Sequence, residues 1–177
     1  NNVESSNNIF ETRQKYDNQN AKNTINSGNV TNMEYMFNNC KNIGPLNLLL
    51  FDTQKVTNMN SMFFNCEKLT VLDLSSFNTT NVDNMDNIFN GCKSIESINL
   101  NQFDTSHITN MNSMFNNCNK LKSLDLSSFD TNNVENMDYM FNNCDSLTEI
   151  KTTSQFDTSN VNSMKYMFNN CEKLSKI

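Results

Sequence analysis

Six cysteines, Cys40, Cys66, Cys92, Cys118, Cys144 and Cys171, follow one another at intervals of 26, 26, 26, 26 and 27 residues. Other residues keep step with them. Ten positions before each cysteine stands Val30, Val56, Val82, Ile108, Val134 or Val161. Seven before stands a methionine (Met33, Met59, Met85, Met111, Met137, Met164), and three before a phenylalanine (Phe37, Phe63, Phe89, Phe115, Phe141, Phe168). All 11 methionines lie in that column or in the one four positions before the cysteine. Self-similarity at a fixed period of this size is the signature of stacked repeats, because a single unit cannot bury its apolar side and a neighbouring unit can.

That pattern outweighs the composition. The 177 residues include 38 asparagines, hydrophobic residues make up 36%, and mean hydropathy is -0.63. Without the period, those values would suggest a disordered or low-complexity chain. Charge excludes two function classes. Net charge is -6 and Arg13 is the lone arginine, so there is no basic cluster to neutralise nucleic-acid phosphates or to hold an anionic membrane. No apolar run is long enough to span a bilayer.

Within one unit Val56, Met59, Met62, Phe63, Cys66 and Leu69 are spaced as one face of a helix, and Leu72 and Leu74 then alternate as in a strand. The expected unit is a short helix, a turn, a short strand reading Leu-x-x-Leu-x-Leu, and a connection to the next helix. The fold class is then α/β: a leucine-rich-repeat solenoid of about six 26-residue coils with a parallel sheet. Two columns speak about the backbone. Asn39, Asn65, Gly91, Asn117, Asn143 and Asn170 precede the cysteines, and Asn and Gly best tolerate a left-handed conformation, so this column is expected to cap the helices. The pairs Asp52-Thr53, Asn78-Thr79, Asp104-Thr105, Asp130-Thr131 and Asp157-Thr158 are N-capping types ahead of the next helix. The array begins near Ile25, which gives a solenoid over residues 25–177. Residues 1–24 match no unit; Ile9, Phe10, Arg13 and Tyr16 fit a capping helix, with a linker as the other reading. The extra apolar residues of the first unit, Leu48-Leu49-Leu50, suit a docking place.

The strings FDTSHITNMNSMFNNCNKLKSLDLSS (103–128) and FDTNNVENMDYMFNNCDSLTEI (129–150) resemble the repeat of BspA-type leucine-rich-repeat surface proteins, found in bacterial surface lipoproteins and cell-wall-anchored proteins. The resemblance implies a right-handed solenoid, a surface or extracellular location and adhesion to host proteins or other cells, with no shared catalytic residues to carry over.

The chemistry-bearing residues read mostly as structure. The cysteines recur in an apolar slot whose ladder neighbours point in parallel, so no disulfide is expected and buried free thiols are. No Cys-x-x-Cys and no histidine near a cysteine argues for a metal. His107, the single histidine, falls in a turn, where neighbouring Asp104 reads as a cap. No cofactor or enzymatic activity is expected. The outward strand positions form the candidate ligand-binding face: Asp73, Ser75, Asn99, Asn101, Asp125, Ser127 and Lys151. Tyr35, Tyr139 and Tyr166 share another slot and form a rival stripe. The expected function is a non-enzymatic extracellular recognition module binding a protein or glycan of a host or neighbouring cell. The alternative is a building block of a surface layer, filament or virion that self-associates through its ends, including an open C-terminal edge.

Overall fold

The computed structural model describes residues 27–177. The expectations for residues 1–24 lie outside them. The six units do stack, each coil registered on the next one repeat further along the chain. Asn32 bridges to Asn58 and Asn58 to Asn84; Asn110 bridges to Asn136 and Asn136 to Ser163, all in parallel. On another side of the coil, strand β1 (Leu46–Asn47) pairs in parallel with β2 (Leu72–Asp73), and β3 (Ser123–Asp125) with β4 (Glu149–Lys151). The core runs the length of the stack, and the phenylalanine column lines it. Phe37, Phe63, Phe89, Phe115, Phe141 and Phe168 lie ring on ring, with centroids 5.3 to 5.9 Å apart.

The expected helix is absent: no helix occurs among the described residues, and the α/β description is corrected to small parallel sheets joined by turns. The second coil shows why. Ser61 and Asn65 have φ of 54° and 56°, left-handed values that a helix interior does not hold. Hydrogen bonds within the coil span three residues, Met62 N–H to Met59 C=O (3.2 Å), Phe64 to Ser61 (3.1 Å) and Cys66 to Phe63 (3.1 Å), whereas α-helical bonds span four. The alternate N–H groups leave the coil. Those of Met59, Ser61, Phe63 and Asn65 donate to the carbonyls of Asn84, Asp86, Ile88 and Asn90 in the next coil, at 2.7 to 2.9 Å. This ribbon of turns still puts Val56, Met59, Met62, Phe63 and Cys66 on the buried side, so an apolar spacing of three and four residues arises without a helix.

The left-handed asparagine column is present at Asn39, Asn65, Asn117, Asn143 and Asn170, with Gly91 in the remaining coil. It shapes turns instead of closing helices. A second left-handed column, Tyr35, Ser61, Asn87, Ser113, Tyr139 and Tyr166, was not apparent from residue type. The Asp-Thr pairs are likewise turn formers and not N-caps. Asp104 Oδ1 accepts the Ser106 N–H (2.9 Å), and Asp130 Oδ1 that of Asn132 (3.0 Å). Thr53, Thr79, Thr105 and Thr131 are buried and bind coil to coil: Thr105 Oγ1 donates to Asp130 C=O (2.8 Å) and accepts the Asp130 N–H (2.9 Å). Buried polar groups must find partners, and this hydroxyl satisfies a donor and an acceptor of the neighbouring coil together.

The cysteine column is packed in the same way. Cys66, Cys92, Cys118 and Cys144 are buried, and each Sγ donates to a phenylalanine carbonyl of the preceding coil (Phe37, Phe63, Phe89 and Phe115) at 3.2 Å. Burial raises their thiol pKa values, that of Cys92 to about 12, so these sulfurs stay protonated and are poor nucleophiles.

Candidate recognition face

The strand wall carries the seven residues singled out from the sequence, and they fall on one side of it in successive coils. Asp73, Ser75, Asn99, Asn101 and Lys151 are exposed; Asp125 and Ser127 are half-buried. Strand pairing brings Asp125 beside Lys151, whose Nζ lies 2.9 Å from Asp125 Oδ2. Asp73 and Asn99 head neighbouring coils without strand pairing between them.

Asp73, Asn99 and Asp125 each fold back on their own turn. Asp73 Oδ1 accepts the Ser75 N–H (3.0 Å), Asn99 Oδ1 that of Asn101 (3.2 Å) and Asp125 Oδ1 that of Ser127 (3.0 Å). Asx turns of this kind are why Asp and Asn recur two residues before a turn's end. Hydrogen bonds from Ser75 hold the Asp73 carboxyl below its ordinary pKa. Those from Ser127 and then Lys151 lower Asp125 to about 2. Both are carboxylates throughout the physiological range, and each is oriented by the turn's N–H on its Oδ1. This leaves them suited to accept hydrogen bonds or oppose a cation. The adjacent charges are paired as well: Lys122 with Glu96 (2.5 Å), Lys176 with Glu149, and Glu67 with both Lys41 (3.4 Å) and Lys93 (3.3 Å).

Other walls offer less. Tyr139 and Tyr166 stack with centroids 5.2 Å apart, but Tyr35 stands alone four coils away. Asparagine side chains form a surface ladder: Asn65 donates to Asn39 (3.1 Å), Asn143 to Asn117 (2.7 Å) and Asn170 to Asn143 (2.6 Å). Where Gly91 lacks a side chain, Asn117 turns to Asn90 at 3.4 Å. A shallow polar recess lies between Asn132, Glu135 and Asn162 and includes none of the seven. No residue pattern marks it, since its lining comes from two different coils. His107 is exposed, and Asp104 beside it is taken up by Ser106. Among the described residues no group of three His, Cys, Asp or Glu side chains could hold a metal ion, and no helix is long and apolar enough to cross a membrane.

The family described as "Mycoplasma protein of unknown function, DUF285" matches residues 1–97 and again residues 87–177. The chain belongs to this family. Neither a curated protein nor a solved structure matches it. The two DUF285 matches overlap at residues 87–97, in the third coil, just before the stretch 98–100 that joins neither sheet. In this DUF285 chain the Phe37 and Cys40 columns repeat unchanged in every coil, whereas the outward row runs Asp73, Asn99, Asp125 and Lys151.

Proposed function

We propose that the protein is a non-enzymatic recognition module that presents its strand wall to a protein or glycan outside the cell. The observation that carries this reading is the row Asp73, Asn99 and Asp125, each side chain held in its own turn at the same place in its coil. Coils one strand spacing apart, about 4.8 Å, give such a row a fixed pitch. Side chains already immobilised lose little entropy on binding, and many weak contacts at a constant pitch add through avidity. The likeness of the repeat to BspA-type leucine-rich-repeat surface proteins supports the surface location and the adhesive role.

The test is a binding screen of the full chain against extracellular-matrix proteins and a glycan array. A hit should weaken at least tenfold in the combined variant Asp73→Ala, Asn99→Ala, Asp125→Ala, with its melting temperature close to the parent's. A hit that survives those substitutions would move the site off the strand wall.

A further inference from the structure

The strand wall changes character along the stack. Away from the last coil, the large apolar side chains exposed among the described residues are Tyr35 on the turn wall, and Leu49 (50%), Leu50 (59%) and Val71 (59%) on the strand wall of the first two coils. Exposed Pro45 joins them, because the parallel pairing of Leu46 with Leu72 sets it beside Val71. In the third and fourth coils Ser97 and Ser123 take the place of Val71, and Asn101 and Ser127 that of Leu49. Polar residues serve the stack equally well at these positions, so the fold gives no reason for apolar ones. Contiguous exposed apolar residues on a folded chain mark a place of contact.

Charge singles out the same place. Glu67, Glu96, Asp125 and Glu149 along this wall each meet a lysine. Exposed Asp73 meets none among the described residues, and its Oδ1 accepts the Ser75 N–H. Asp73 stands in register with Asn47. Val71 lies two residues before Asp73, and Leu49 two residues after Asn47. Outward positions two residues apart on a strand are separated by about 7 Å. An uncompensated carboxylate, held by its own turn, therefore has apolar side chains on both sides of it.

We propose that the strand wall of the first two coils docks a protein partner through an extended segment, whose lysine or arginine meets Asp73 while apolar side chains two residues to either side cover Pro45 and Val71, and Leu49 and Leu50. This rests on the strand-wall reading and narrows its ligand to a polypeptide. An extended segment presents side chains on one face at a period of two, the same spacing as the wall beneath it. Burial of the exposed apolar area supplies affinity, and the charge pair fixes the register. A neutral glycan offers this patch no cation.

The test is selection of a phage-displayed library of random linear peptides on the full chain. Enriched peptides should carry Lys or Arg with an apolar residue two positions to each side. Their affinity should fall by about tenfold in Asp73→Asn, and by as much in the double variant Leu49→Ser, Val71→Ser. Both variants should melt with the parent, because the same columns hold Asn99, Ser75 and Ser97, and Asn99 makes the same turn bond as Asp73. A second selection on Asp73→Lys should exchange the basic residue for Asp or Glu. No enrichment, enrichment without a basic residue, affinity unmoved by either variant, or a preference unchanged on Asp73→Lys overturns the proposal. A glycan hit that the double variant leaves intact, but that the combined variant Asp73→Ala, Asn99→Ala, Asp125→Ala removes, overturns it too and keeps the strand wall as the recognition face. Binding untouched by all of these variants removes both readings.

Discussion

The turn wall and the strand wall of the same coils hold the stack in different ways. Along the turn wall every coil donates hydrogen bonds to the next at the phenylalanine column: Phe37 to Met62, Phe63 to Ile88, Phe89 to Met114, Phe115 to Met140 and Phe141 to Met167, at 2.8 to 3.1 Å, although no bridge joins Asn84 to Asn110. Along the strand wall the ladder stops at the third coil. Ile98 and Leu100 are buried like their counterparts, but they belong to no strand, and two separate two-stranded sheets lie on either side. Burial is thus common to both walls, whereas backbone pairing through every coil is found at the phenylalanine column of the turn wall. The turn wall sets the register of the stack, and the strand wall is freer to vary its outward residues.

The most severe break in that comparison should come from Phe115→Asp. Phe115 is buried between Phe89 and Phe141, at 5.5 and 5.7 Å, and an unpaired carboxylate there should cost more than about 4 kcal/mol and abolish cooperative unfolding of the central coils in a thermal melt.

Next in size is the left-handed column. Asn117 has φ of 60°. Asn117→Val should destabilise by about 1–2 kcal/mol more than Asn117→Gly, because a β-branched residue is strained there and glycine is not. Equal midpoints in urea denaturation would remove the left-handed turns as the source of the turn wall's specificity.

A smaller effect of opposite sign is expected at Asp86, whose pKa burial raises from 3.8 to about 6. An acid with a raised folded-state pKa favours its protonated form in the native state. Its ionisation therefore lowers stability as pH rises from about 4 through 6, and the full penalty stands above pH 6. Asp86→Asn, the residue type at Asn60 and Asn112 in the same column, should stabilise the protein at pH 8 by about 1 kcal/mol after solvent screening, with the gain fading towards pH 4.

The smallest effect should be on the strand wall: Ser97→Val, exposed beside the unpaired stretch, should change stability by no more than about 0.5 kcal/mol. A loss comparable to that of Asn117→Val would show that the strand wall shares in setting the register.

Much of this was legible in the residues. The period, the buried columns and the left-handed preference at Asn39, Asn65 and their equivalents follow from spacing and residue type, since only repeated contacts maintain identical apolar slots. The helix was misread for a specific reason: Val56, Met59, Met62, Phe63 and Cys66 fall on one side both of a helix and of consecutive three-residue turns. Ser61, Ser113 and Tyr139 carry no residue-level sign that they are left-handed. The candidate face was legible as a row of outward positions. That Asp73 and Asp125 would be locked by their own turns was not, because an aspartate two residues before a serine is equally compatible with a free side chain.

The order of residues by itself determined the 26-residue period, the identity of the core columns and the stacking of like on like. Only the tertiary structure decided where the backbone's hydrogen bonds go. A carbonyl one coil away competes with one in the same turn, and which of them an N–H reaches depends on a neighbour that exists only once the chain has stacked.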